Sequence, residues 1–171
     1  MYNSFELIEL LKKEKYEIEV HEHDALFTVE DSKKFRGKID GSHSKNLFLK
    51  NKKGEFFLLS CEEGDKIELK KISKSLGLGN ISFARQEHLQ QYLKIKPGSV
   101  SPFALLNDVG GFVNFYLEKT LYESKFVNFH PLINTLTITI ETNAFIEFMI
   151  ENNKKIHIFS SAEEKILKTY G

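Results

Sequence analysis

Two apolar runs, residues 46–49 and 55–60, flank the tetrapeptide Asn51-Lys52-Lys53-Gly54, and this pattern constrains the chain more than any other. Apolar strands on either side of a turn-forming Asn…Gly segment read as a β-hairpin, here at the centre of a sheet. Around it the periodicity changes. Phe5, Leu7, Ile8 and Leu11 recur at helical spacing behind Asn3 or Ser4 as cap, with Glu6 near the positive end. Tyr16, Ile18 and Val20 alternate with charged residues, the period of a half-buried strand. Residues 23–28 read as a loop, Thr28 as the cap of a short helix, and Arg36, Gly37, Gly41 and Ser42 as an irregular connection at a substrate rim. Leu69, Ile72 and Leu76 predict a helix ended by Gly77, and Leu89 and Leu93 a short helix ahead of Pro97. Strands are expected at 112–117, 126–129, 136–140 and 156–159, with a helix over 144–150. Strands and helices do not alternate regularly, which argues against a doubly wound nucleotide-binding fold and for a compact mixed α/β (α+β) sheet covered by helices.

The 171 residues suit a single domain spanning 1–171. With 24 basic and 24 acidic side chains no global field draws the chain to nucleic acid, so any RNA contact is local; Lys33, Lys34, Arg36 and Lys38 form a basic rim. Residues 1–15 mix apolar and charged side chains and lack the apolar stretch of a signal peptide or membrane span, so a cytoplasmic location and no membrane partner are expected. The lone Cys61 can form no internal disulfide.

The standard catalytic signatures are absent: no nucleophile elbow, no phosphate-binding loop, no H-E-x-x-H and no paired C-x-x-C. His21 and His23 would share a strand face, but with His43 or His130 they lack the spacing of a strong zinc site, so neither metal nor cofactor is expected. Cys61 reads as a small core residue rather than a nucleophile. Lys96-Pro97-Gly98-Ser99-Val100-Ser101-Pro102 fixes a loop with free backbone N–H groups, suited either to an oxyanion or to a plain turn. Lys45, at the start of an apolar strand, either meets a phosphate or carbonyl oxygen or is solvated. His130, before Pro131, is either a pocket wall and proton carrier or a hydrogen-bonded core histidine.

A series of blocks resembles the prolyl-tRNA editing family of YbaK-like domains. They are His21-Glu22-His23, Phe27-Thr28-Val29-Glu30, Gly41-Ser42-His43-Ser44-Lys45-Asn46-Leu47-Phe48-Leu49, Leu76-Gly77-Leu78-Gly79 and Ser82-Phe83-Ala84. Then follow Pro97 to Phe103, Leu106-Asn107-Asp108, Phe129-His130-Pro131-Leu132 and Asn134-Thr135, all in the family's order over residues 16–140. The chain looks most like the free-standing branch that clears alanine from proline tRNA. That resemblance implies Lys45 as the essential cation, residues 98–102 as the family's G-x-x-x-P loop, and His130 at the pocket, making Lys45, Gly98 and His130 catalytic. It further implies substrate contacts from Phe27, Thr28, Asn46, Ser99, Ser101, Pro102, Asn107 and Asp108. Asp24 and Ala104 depart from the family's frequent proline and glycine, which bears on the shape of the entrance loop and of the turn after Pro102.

The implied chemistry needs no protein nucleophile, because an aminoacyl ester is already activated and asks for positioning, a water and oxyanion stabilisation. The resemblance thus implies a hydrolase for alanyl-tRNA(Pro), selecting by pocket size. Its partners would be the aminoacylated tRNA acceptor end and prolyl-tRNA synthetase, with no DNA. The alternatives are a deacylase for cysteinyl or seryl esters, or a non-catalytic module binding tRNA ends.

Overall fold

In the computed structural model, residues 1–26, 28–33 and 39–171 are described. They form α1 (Ser4–Lys13), β1 (Ile18–Glu22), α2 (Val29–Lys33), β2 (Ser42–Asn51), β3 (Phe56–Glu62), α3 (Leu69–Leu76), β4 (Ile81–Phe83) and α4 (Gln86–His88). A π-helical turn (Leu89–Leu93) and a 3-10 helix (Pro102–Asn107) follow, then β5 (Val113–Glu118), α5 (Lys119–Glu123), β6 (Phe126–Phe129), β7 (Leu136–Glu141), α6 (Thr142–Glu151), β8 (Ile156–Ser160) and β9 (Lys165–Tyr170). The strands join in the order β1-β7-β6-β2-β3-β5-β8-β9, with β4 added on β2. Parallel pairs (β2 with β6, β3 with β5, β5 with β8) sit among antiparallel ones, so the expected mixed sheet covered by helices is what forms. No described helix is long and apolar enough to cross a membrane.

The hairpin lies at the centre of the sheet, and its register runs from Ser44 opposite Glu62 to Lys50 opposite Phe56. The Asn51 side-chain oxygen accepts the N–H groups of Lys53 and Glu55, both at 3.0 Å, which closes the turn. Asn3 caps α1 in a capping box with Glu6, and the Thr28 hydroxyl accepts the Asp31 N–H at 3.1 Å to cap α2. Two expectations of burial fail for one reason, the position of the element at the rim of the fold. Phe5 is 71% exposed although Leu7 and Leu11 are buried, and Val20 is 41% exposed because β1 is an edge strand paired only with β7.

Phe48, Val127, Phe129, Ile138 and Ile140 belong to one apolar core, beneath α1, the 3-10 helix and α6; Leu49, Leu59, Cys61 and Ile72 build a second on the opposite face under α3. Phe103, Phe129 and Phe145 meet at centroid separations of 4.9 to 6.0 Å. These rings anchor the loop containing residues 98–102 to β6, whose last residue directly precedes His130, through area burial and edge-to-face geometry. Gly41 turns the chain into β2 at φ +88°, where a Cβ would lie 2.7 Å from the Phe126 carbonyl oxygen; only glycine fits so close to β6. Ser42, expected in an irregular connection, is the first residue of β2, while Arg36 and Gly37 lie outside the described residues.

Candidate active site

β2 pairs with β6 only at Ser42–Val127 and His43–Asn128, but stays with β3 as far as Lys50. Beyond His43 the two strands part, and at this divergence lies a cavity of about 280 Å³. Ser44, Lys45 and Asn46 border it from β2, Asn128, Phe129 and His130 from β6 and its end, and Gly98 and Val100 from the loop above. Leu26, Ile39, Val100 and Phe129 give it apolar walls, and His43, Glu63, Thr28 and Thr137 complete the lining.

Five of the residues singled out from sequence therefore meet in one place: Thr28, Lys45, Asn46, Gly98 and His130. Phe27 lies outside the described residues. The other five do not border the cavity. Ser99 is buried and its N–H donates to the Lys96 carbonyl at 3.2 Å. Ser101, fully buried, accepts the Phe103 N–H at 3.3 Å as cap of the 3-10 helix, and Pro102 is buried in that helix's first turn. The Asn107 amide clasps both backbone groups of Tyr2 and the Leu93 carbonyl, and the Asp108 carboxylate accepts the N–H groups of Phe112 and Val113 at 3.1 and 2.8 Å. In these positions Asn107 and Asp108 join segments of the fold and do not border the cavity.

Pro97 and Gly98 occupy the two central positions of a turn closed by the Lys96 carbonyl and the Ser99 N–H, with Gly98 at φ +85°. That is the geometry of a type II turn, which demands a positive φ at its third residue. Because Ser99 supplies the closing N–H, the Gly98 amide is not consumed by the turn. Lys45 is half-buried, and its ammonium donates to the backbone carbonyl of Asp65 in the segment after β3. It is not a solvated strand-end lysine. Its register partner Cys61 is fully buried, with the thiol pushed up to about 12 by desolvation, so it is a core residue and no nucleophile.

The His130 Nδ1 lies 2.8 Å from the Leu136 carbonyl oxygen, which can only accept, so Nδ1 carries the proton and Nε2 keeps a lone pair. Burial disfavours the charged ring and lowers its pKa from the usual histidine value, with neighbouring His23 and His43 acting in the same direction; the Leu136 hydrogen bond and Glu63 oppose it in part. His23 is held by the Asp24 carbonyl and the Thr137 hydroxyl, and His21 by the Thr139 hydroxyl. Among the described residues no group of three His, Cys, Asp or Glu side chains is arranged to hold a metal ion.

Sequence reasoning passed over Glu63, Asn128 and Thr137. Glu63 follows Glu62 at a strand end and looks like half of a solvated acidic pair, whereas it is 5% exposed. Asn128 donates to the Asp40 and Ser42 carbonyls at 2.8 and 3.3 Å and accepts from Thr139, fixing the segment that carries Ile39. The available signal was a polar residue between Val127 and Phe129 in an otherwise apolar strand.

A family model described as the aminoacyl-tRNA editing domain matches residues 23–148. The chain is similar to the prolyl-tRNA editing protein ProX of Acetoanaerobium sticklandii, 36% identical over 120 residues that cover 70% of this chain and 73% of that protein. It is also similar to the prolyl-tRNA synthetase associated domain-containing protein 1 of Bos taurus, 36% identical over 136 residues, 77% of this chain and 79% of that one. A crystal structure described as a proposed trans-editing enzyme for prolyl-tRNA synthetase superposes with a TM-score of 0.67 at 16% identity, covering 91% of this chain and 96% of the other, a likeness of fold. On the family match and these sequence relatives, the chain belongs to the aminoacyl-tRNA editing domain family.

Proposed function

We propose that this protein is a trans-editing deacylase that hydrolyses the ester of mischarged alanyl-tRNA(Pro). The observation that carries this reading is the convergence of Lys45, Asn46, Gly98 and His130 on one small, partly apolar cavity at the divergence of β2 and β6. Family membership and the similarity to a prolyl-tRNA editing protein support the reaction class.

A water oxygen attacks the ester carbonyl carbon, the bond to the terminal ribose oxygen breaks, and that oxygen takes up a proton as free alanine and tRNA separate. In this reading the Gly98 amide stabilises the oxyanion that develops, the largest single contribution expected in acyl transfer. The Lys45 ammonium adds positive charge at the mouth, for the carbonyl or the terminal phosphate. The His130 Nε2 lone pair accepts a hydrogen bond from the attacking water or a ribose hydroxyl. Ile39, Leu26, Val100 and Phe129 bound the space left for the amino-acid side chain. On this reading the site accepts a methyl group and turns away a pyrrolidine ring, the second sieve that a synthetase needs against a smaller competitor.

The partner is the aminoacylated acceptor end of tRNA(Pro), delivered after release from prolyl-tRNA synthetase. Incubation with alanyl-, cysteinyl-, seryl- and prolyl-tRNA tests this: fast loss of the alanyl ester and slow loss of the others is expected. Preferential loss of cysteinyl or seryl ester would reassign the substrate, and no hydrolysis of any would make the protein a binding module.

A further inference from the structure

We infer that Glu63 recognises the free α-ammonium of the aminoacyl group, so that the site takes aminoacyl esters and discriminates against N-acylated ones. The assignment rests on the deacylase reading above and names the group that reads the amino end of its substrate.

Glu62 and Glu63 are consecutive at the end of β3, and alternation sends them to opposite sides. The Glu62 carboxylate turns outward and accepts the Gly64 N–H at 2.9 Å. Glu63 is drawn inward. Its own N–H donates to the His43 carbonyl at 2.8 Å, prolonging the hairpin by a step at the very residue where β2 leaves β6. The side chain, 5% exposed, forms part of the cavity wall.

Among the described residues lining the cavity, Glu63 is the one carboxylate, and Lys45 the one permanent cation. An aminoacyl-tRNA end brings both complementary charges, an ammonium on the amino acid and phosphate on the nucleotide. Lys45 at the strand mouth suits the phosphate end. The ammonium needs an anion, and the histidines cannot be one; His130, moreover, is kept neutral by burial. A carboxylate offers about four lone-pair positions, so Glu63 can serve neighbours in the wall and a ligand together. An acetylated amine has neither the charge nor the three donors.

The test uses the full chain and two non-hydrolysable probes, 3′-alanylamino-3′-deoxyadenosine and its N-acetyl form, with calorimetric affinities for wild type, Glu63→Gln and Glu63→Asp. A charged hydrogen bond of ordinary strength predicts that wild type binds the free amine about tenfold to a hundredfold more tightly. Glu63→Gln should lose that preference while still binding the acetylated probe as wild type does, and Glu63→Asp should keep part of it. Full preference in Glu63→Gln, or undiminished preference in Glu63→Asp should the glutamine variant fail to fold, overturns the assignment. Wild-type hydrolysis of alanyl-tRNA(Pro), measured alongside, separates the two claims. Active wild type that ignores acetylation sinks the role of Glu63 alone, whereas inactive wild type sinks the deacylase reading beneath it.

Discussion

Phe103 and Phe129 meet edge to face, with ring centroids 6.0 Å apart and planes at 88°. Phe103 closes the loop that presents Gly98, and Phe129 directly precedes His130, so this contact fixes the two sides of the cavity relative to each other. Both rings are almost fully buried. Phe103→Ala should destabilise the fold by about 3–5 kcal/mol, as expected for a large core truncation. Hydrolysis by the fraction still folded should also fall, because the Gly98 turn is released. Denaturant melts and single-turnover rates at low temperature check both; a destabilised variant with an unchanged rate would show that the contact does not position the site.

A neutral His130 in the proposed mechanism predicts an acid limit on activity. Its pKa lies below the usual histidine value, and the working form is neutral, with the Nδ1 proton given to Leu136. The folded state binds this proton less readily than the unfolded chain, so the stability it contributes is fully present above about pH 6.5 and is lost as pH falls through the lowered folded value. Hydrolysis should follow the same direction, flat near neutrality and dropping in acid. In His130→Gln the acid limb should vanish from a reduced rate. A wild-type profile that rises toward acid would contradict a neutral His130.

The hairpin, the capped α1 and strands β5 to β8 were legible because each buries a pattern that matches its own period: Phe48 and Leu49 fall on opposite faces and in opposite cores. β4 and α5 escaped notice, having only three and five residues, too short for a periodic signal. β9 was missed since its burial is almost nil and its existence depends on pairing with β8. At the site, Lys45, Gly98 and His130 were legible through motif context. Glu63, Asn128 and Thr137 were not, because which polar residue turns inward depends on where β2 parts from β6, a tertiary fact.

Asp108 separates structural from catalytic motif residues. Its carboxylate holds the Phe112 and Val113 amides, and its carbonyl accepts from the Lys154 ammonium at 2.8 Å, all away from the cavity. Asp108→Ala leaves two amides without their partner and should lower stability by about 2–4 kcal/mol. At a temperature where the variant is folded, kcat and KM should stay within about twofold of wild type, on the ordinary scale of remote substitutions. A stable variant with a collapsed kcat would return Asp108 to the site.

Lys45 makes the opposite prediction. Its ammonium is already ordered on the Asp65 carbonyl and borders the cavity, so removal should strike the reaction and spare the fold. Lys45→Ala should slow deacylation at least about a hundredfold, the scale of losing one oxyanion-stabilising group. Lys45→Arg should remain strongly impaired, since a planar fork does not replace a compact ammonium. Thermal melting establishes folding in each case, and a folded Lys45→Ala with near-normal rate would remove Lys45 from the mechanism.

The most direct test places alanine and proline on the same tRNA(Pro) and follows single-turnover hydrolysis of each by the wild-type protein. An editing site closed by Ile39, Leu26, Val100 and Phe129 should cleave the alanyl ester at least about a hundredfold faster than the prolyl ester. Equal rates on the two esters, or faster cleavage of correctly charged prolyl-tRNA, would contradict the assignment.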